Sequence, residues 1–192
     1  YKTSKFNSTV QTLTYATALR NIYEFVIVPK DATDSLHVFS VHLKASSGSS
    51  NEQARLAEIN VLRNRTDQFV PGTHFLVCGD FNIYSSNEAA YGRLLQQTAG
   101  TEGHFVDKIT MSGTFNNAVY APYHTQSPRV TQFNGGANGG MDDRFDMILI
   151  SEALDDTLGL QFVPGSMYAY GNDGLHYNGA INAPPVNAAV GQ

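Results

Sequence analysis

The sequence is poor in charge. Only 15% of its 192 residues are Asp, Glu, Lys or Arg, which argues against a long helical bundle and against a disordered chain. The net charge of −5 excludes a broad basic face of the kind that announces nucleic-acid binding. An acidic protein can still handle phosphates if metal ions neutralise both partners. The single cysteine, Cys78, excludes a disulfide within the chain and reads as a small buried hydrophobe. There is no transmembrane run and no signal peptide. There is no Gly-x-Ser-x-Gly elbow, no cysteine in a reactive setting, and no Cys/His cluster for a zinc cage. Nor is there an initial methionine, so the chain reads as a processed, trimmed or partial product.

What is present suits one domain, residues 1–192, with a hydrophobic share of 42% that is enough for a real core. Tyr, Phe, Asn, Ser, Thr and Gly are plentiful and suggest many strands with ordered polar loops. A strand is expected within Val10–Tyr15. Residues 20–28 alternate and then turn apolar, a strand ended by Pro29. Asp31–Ser35 is a turn cluster, and 36–44 reads as a second strand, antiparallel to the first. Ser50-x-x-Gln53 has the form of a capping box. Leu56, Ile59, Leu62, Thr66 and Phe69 then recur at helical spacing, so a helix is expected over 51–70, stopped by Pro71-Gly72. A second helix is expected over 87–98. Residues 100–140 read as loops and short strands and include the unusual run His124-Thr125-Gln126-Ser127-Pro128-Arg129. Residues 141–150 end in a buried strand that carries Asp146.

Three strand ends carry polar groups that burial alone would not select. Phe75-Leu76-Val77-Cys78 reads as a strand buried on both faces. Gly79 follows, which lets the backbone turn or come close to a ligand at the strand's end. Asp80 and Asn82 come next, two apart, and on an extended chain both would face one cleft. They could equally be turn formers bonding their own backbone. His42 lies in a strand that otherwise reads as core, either as a satisfied structural histidine or as a site group. Asp146 enters a buried strand, which is costly for a carboxylate unless Arg144, His42 or a cation pairs with it. Together they suggest convergence on one site. Carboxylates, a carboxamide and a histidine suit Mg²⁺ or Mn²⁺ and a phosphate oxygen, hence hydrolysis of a phosphate ester.

Gly79-Asp80-Phe81-Asn82, Val41-His42-Leu43-Lys44 and Arg144-Phe145-Asp146-Met147-Ile148 resemble, in order and spacing, three motifs of the endonuclease/exonuclease/phosphatase superfamily. The likeness covers about residues 15–150. It implies an α/β fold, a four-layer sandwich of two mixed sheets flanked by helices, and a metal-dependent phosphodiester hydrolase, first of all a bacterial nuclease. The alternatives are a non-catalytic binding scaffold, or a phosphatase or sphingomyelinase-type enzyme on the same fold. By this resemblance His42 bonds the scissile phosphate and Asp80 orients water or holds the metal. Asn82 positions Asp80 and the phosphate and is a second metal contact, and Asp146 orients a catalytic histidine. Arg20 is either a phosphate contact or part of a surface ion pair.

The resemblance is incomplete. The family's early Asn and metal-binding Glu have no counterpart, since Glu24 lies too near Arg20 to stand in. Its closing Asp-His motif is not matched by Asp173 and His176, whose spacing is wrong and which are read as loop residues. Both ends of the sandwich are therefore expected to be missing, leaving an incomplete fold with exposed sheet edges and apolar faces and no activity in this chain alone. Another chain would then complete the sheets. Substrates implied are nucleic acid or another phosphodiester, with Mg²⁺ or Mn²⁺ as cofactor, no membrane span, and a secreted or periplasmic setting.

Overall fold

The computed structural model describes residues 5–6, 10–30, 34–156 and 158–190. Its centre is one mixed sheet of five strands in the order β1 (Gln11–Tyr15), β2 (Ile22–Ile27), β3 (Leu36–His42), β4 (His74–Asp80) and β5 (Asp146–Ile150). Pairings are antiparallel except β3 with β4, which run parallel because the long helix α1 (Ser49–Thr66) returns the chain between them. A shorter helix, α2 (Ala89–Leu95), packs on α1, and one turn, α3 (Glu152–Asp155), follows β5. Residues 100–140 hold isolated bridges and a 3₁₀ segment, Ala118–Tyr123. The α/β class is as expected. The described residues hold one sheet of the expected two-sheet sandwich. Part of the Asp31–Ser35 turn cluster, residues 31–33, lies outside them.

The two faces of the sheet differ. Phe39, Val41, Phe75, Val77, Met147 and Leu149 alternate onto the face covered by α1, where Ile59 and Leu62 meet them in the core. Leu36, Val38, Leu76, Cys78 and Ile148 fall on the other face, which the segment around Leu160, Phe162 and Met167, with Phe6 and the loops bearing Tyr123 and Tyr168, covers in part. They stay half-buried or, for Ile148, 45% exposed. The 75–78 run is thus buried on one face only, since α1 covers just that side.

The capping box does not form. The N-cap of α1 is Gly48 at φ +101°, and the N–H groups of Asn51 and Glu52 donate to its carbonyl. Ser50 already lies inside the helix. The loop before it is gathered by buried Arg55, which donates to the carbonyls of Lys44 and Ser46 and pairs with Glu88 at 2.8 Å. α1 also stops four residues short of the expected end, with a turn between Thr66 and Phe69.

Candidate active site

His42, Asp80 and Asp146 end or begin adjacent strands at one edge of the sheet. His42 is opposite Asp80 in the β3–β4 register, and Asp80 is opposite Asp146 in the β4–β5 register. Equal register puts all three side chains on one face. The close approach depends on Gly79, at φ +140°, where a Cβ would stand 1.9 Å from the Val41 carbonyl oxygen. The glycine, expected to serve a turn or a ligand, makes its close approach to the neighbouring strand instead.

The Asp80 carboxylate stands 3.8 Å from His42 Nε2 and accepts the Asn82 N–H at 3.0 Å. Gln126 bridges the two acids, its Nε2 lying 3.3 Å from Asp80 Oδ2 and 3.4 Å from Asp146 Oδ2. The Asp146 N–H donates to Thr125 Oγ1 at 2.9 Å. Neighbouring protein strips water from the Asp146 carboxyl, and the like charge of Asp80 adds to this. Together they raise its pKa against the opposing pull of Gln126, Thr125 and His42.

Asn82 sits differently from His42, Asp80 and Asp146. It adopts φ +50°, so the alternation that would aim it with Asp80 is broken. It is buried, and its Nδ2 donates to the Leu43 carbonyl at 3.2 Å, holding the β3 exit against the β4 exit. Arg20 donates to the carbonyls of His42 and Leu43 at 3.2 and 3.1 Å, and its exposed guanidinium stands beside His42. Arg144 is not the partner of Asp146: it forms a buried bidentate pair with Asp107, at 2.7 and 2.9 Å. Asp173 and His176 form a loop clamp. His176 bonds Asp173 at 2.9 Å and the carbonyls of Ala183 and Pro185. The Ala183 carbonyl first, then Asp173 and the Pro185 carbonyl, raise its pKa against a smaller opposing effect of burial.

Sequence reasoning missed Gln126, Thr125 and Asp143. The 124–129 run stood out as unusual, but nothing local linked it to the strand ends. Gln126 reaches the acids because its backbone exchanges hydrogen bonds with that of Asp143, three residues before Asp146. Asp143 itself is buried, its Oδ1 has no hydrogen-bond partner among the described residues, and burial pushes its pKa up to about 7 with help from Asp142.

Among the described residues no three His, Cys, Asp or Glu side chains stand close enough together to hold a metal ion. The donors that are present, the Asp80 and Asp146 carboxylates with one neutral amide between them, are hard oxygens that fit Mg²⁺ or Mn²⁺.

No protein-family model and no curated protein matches the chain. Solved structures do. A conserved protein of unknown function from Enterococcus faecalis is 15% identical at a TM-score of 0.50, over 78% of this chain and 56% of that one. The likeness is one of fold. The human Nocturnin catalytic domain gives 14% identity and a TM-score of 0.49, over 78% of this chain and 49% of that one. A protein from Bacteroides thetaiotaomicron described as of the endonuclease/exonuclease/phosphatase family gives 14% and 0.47, over 79% and 53%. The chain spans about half the length of these structures.

Proposed function

We propose that the chain carries part of the catalytic face of a phosphodiester hydrolase that uses Mg²⁺ or Mn²⁺, a nuclease first of all. The observation behind this is the juxtaposition of His42, Asp80 and Asp146 on three adjacent strand ends. His42, exposed and 3.8 Å from a carboxylate, is placed to donate a hydrogen bond to a phosphoryl oxygen. Asp80 orients or deprotonates the attacking water, and Asp146 holds a neighbouring donor in line. Arg20 adds positive charge on the His42 side. Asp80, with Asp146 beside it, would hold the cation, which supplies charge stabilisation at the phosphate when bound. Asn82 supports the site by fixing the two strand exits.

The proposal includes a second β layer over the half-open sheet face around Leu36, Val38 and Leu76, leaving the Asp146 end open, from a further segment or another chain, and a secreted or periplasmic setting. Among the described residues no helix is long and apolar enough to cross a membrane. A non-catalytic scaffold is the second reading, favoured because Asn82 and His176 are both committed to backbone carbonyls. A phosphatase or sphingomyelinase-type enzyme is the third.

The test is hydrolysis of bis-p-nitrophenyl phosphate and nicking of plasmid DNA with Mg²⁺ by the parent protein, with the completing segment or chain present, and by its His42→Ala, Asp80→Asn and Asp146→Asn variants. Losses of about 10²–10⁴-fold in each variant are expected. Activity that survives all three changes would reject the site. Turnover of sphingomyelin or inositol phosphates in place of DNA would favour the third reading.

A further inference from the structure

The two flanks of the carboxylate pair differ in charge. On the β3 side a cavity of about 410 Å³ is lined by Arg20, Asn21, Tyr23, Ser40 and His42, with an exposed guanidinium and imidazole. On the β5 side a cavity of about 320 Å³ opens directly beside Asp146 and Thr125 and carries tyrosines at its rim. Its one basic residue, Arg144, is neutralised by Asp107 at 2.7 Å. Among the described residues no free cation lines it. A second phosphate, an inositol polyphosphate or an anionic headgroup would find nothing there to pair with.

The rim is aromatic and exposed. Tyr168 is 64% and Tyr170 87% solvent-accessible, with ring centroids 6.2 Å apart, and Tyr123 completes the mouth at 39%. Exposed tyrosines gain little in folding, whereas a planar ligand can stack on them. The rim is also anchored. Asn172, two residues after Tyr170, donates to the carbonyls of Ala121 and His124, both at 2.8 Å, tying the two tyrosine-bearing segments together. The cavity volume lies at the lower end of the range of about 300–1,000 Å³ that small-molecule sites occupy, enough for one ring system.

We propose that this cavity is a nucleobase subsite, in which a base next to the scissile phosphate stacks on Tyr168 and Tyr170 while the phosphate lies toward His42 and Arg20. This rests on the phosphoester reading of the Asp80–Asp146 pair and deepens it. It makes the substrate a single strand or frayed end, because a paired base cannot leave its stack for the cavity without unpairing.

The experiment compares binding of thymidine 5′-monophosphate, deoxyribose 5-phosphate and octyl phosphate, followed by amide chemical shifts and tyrosine fluorescence, without turnover. The nucleotide is expected to bind at least about fivefold more tightly than the base-free phosphate, quenching tyrosine emission. Tyr168→Ala/Tyr170→Ala is expected to erase that difference and leave deoxyribose 5-phosphate unchanged. Both tyrosines are exposed, so the variant keeps its fold, and Tyr170→Phe is expected to retain the preference. Equal binding of nucleotide and base-free phosphate, no binding of either, or tighter binding of octyl phosphate overturns the subsite. The hydrolase reading is judged separately by the His42, Asp80 and Asp146 variants on bis-p-nitrophenyl phosphate, which carries no base.

Discussion

Asp80 and Asp146 are cross-strand partners whose carboxylates share one amide donor, Gln126, at 3.3 and 3.4 Å. Two acids facing each other across a sheet repel, and one neutral donor at long hydrogen-bond distance offsets this only in part. Such a pair is suited to a cation or to a shared proton.

Gly79→Ala is expected to be among the most damaging single-methyl changes in the molecule. The added Cβ meets backbone, the Val41 carbonyl, at a φ that L-residues rarely adopt. A loss of about 3 kcal/mol or more in urea unfolding is expected. Any folded fraction would have β3 and β4 displaced where His42 and Asp80 sit. Wild-type stability in this variant would refute the observed register.

Asp143 makes stability depend on pH in the direction opposite to most carboxylates. Burial, with Asp142, raises its folded pKa from 3.8 to about 7. The folded state therefore binds an extra proton between about pH 4 and 7, and stability falls as pH rises through that window. Asp143→Asn is expected to match the wild type near pH 4 and to exceed it by about 1–3 kcal/mol at pH 8. Denaturant titrations at the two pH values measure this; a variant less stable at pH 8 would show that the ionised carboxylate is wanted.

Glu24 gives the contrary case. It is fully buried in β2, and burial works to raise its pKa. Hydrogen bonds from His37, Arg65 and Tyr15 outweigh that and hold it at about 2, below the ordinary 4.5. Its contribution is present above pH 4.5 and is lost as pH falls toward 2. Glu24→Gln is expected to cost about 2–4 kcal/mol at pH 7, with the gap closing toward pH 2. An unchanged gap at low pH would assign the loss to packing rather than charge.

The half-open sheet face should be visible in solution. Leu36, Val38, Leu76 and Ile148 are expected to bind anilinonaphthalene sulfonate and to drive self-association at raised concentration. Ile148→Lys, at a position already 45% exposed, should reduce both while changing stability by less than about 1 kcal/mol. A monomeric wild type that binds no dye would mean this face is sealed.

Much of the architecture was legible in the chain itself. Alternation and apolar runs marked β2 to β5, because a strand's faces are set by a period of two, while β1 was placed in a polar, Thr-rich stretch. Helical spacing from Leu56 to Phe69 marked α1. The Ser50–Gln53 cap was misread, because a capping box competes with whatever gathers the preceding loop, here Arg55 and the positive φ of Gly48. His42, Asp80 and Asp146 betrayed themselves as polar groups at the ends of apolar strands. Asn82 could not be aimed from sequence, since its φ of +50° breaks the alternation on which aiming depends.

Local pattern, then, determined which segments are strands and which residues stand at their ends, because those choices depend on neighbours a few positions away. Only the tertiary structure decided that Gln126 lies between the two acids, that Arg144 belongs to Asp107, and that three tyrosines ring a cavity beside Asp146. Each of these joins residues about 20 or more positions apart. Their meeting is set by sheet register and loop packing, which no short stretch of sequence contains.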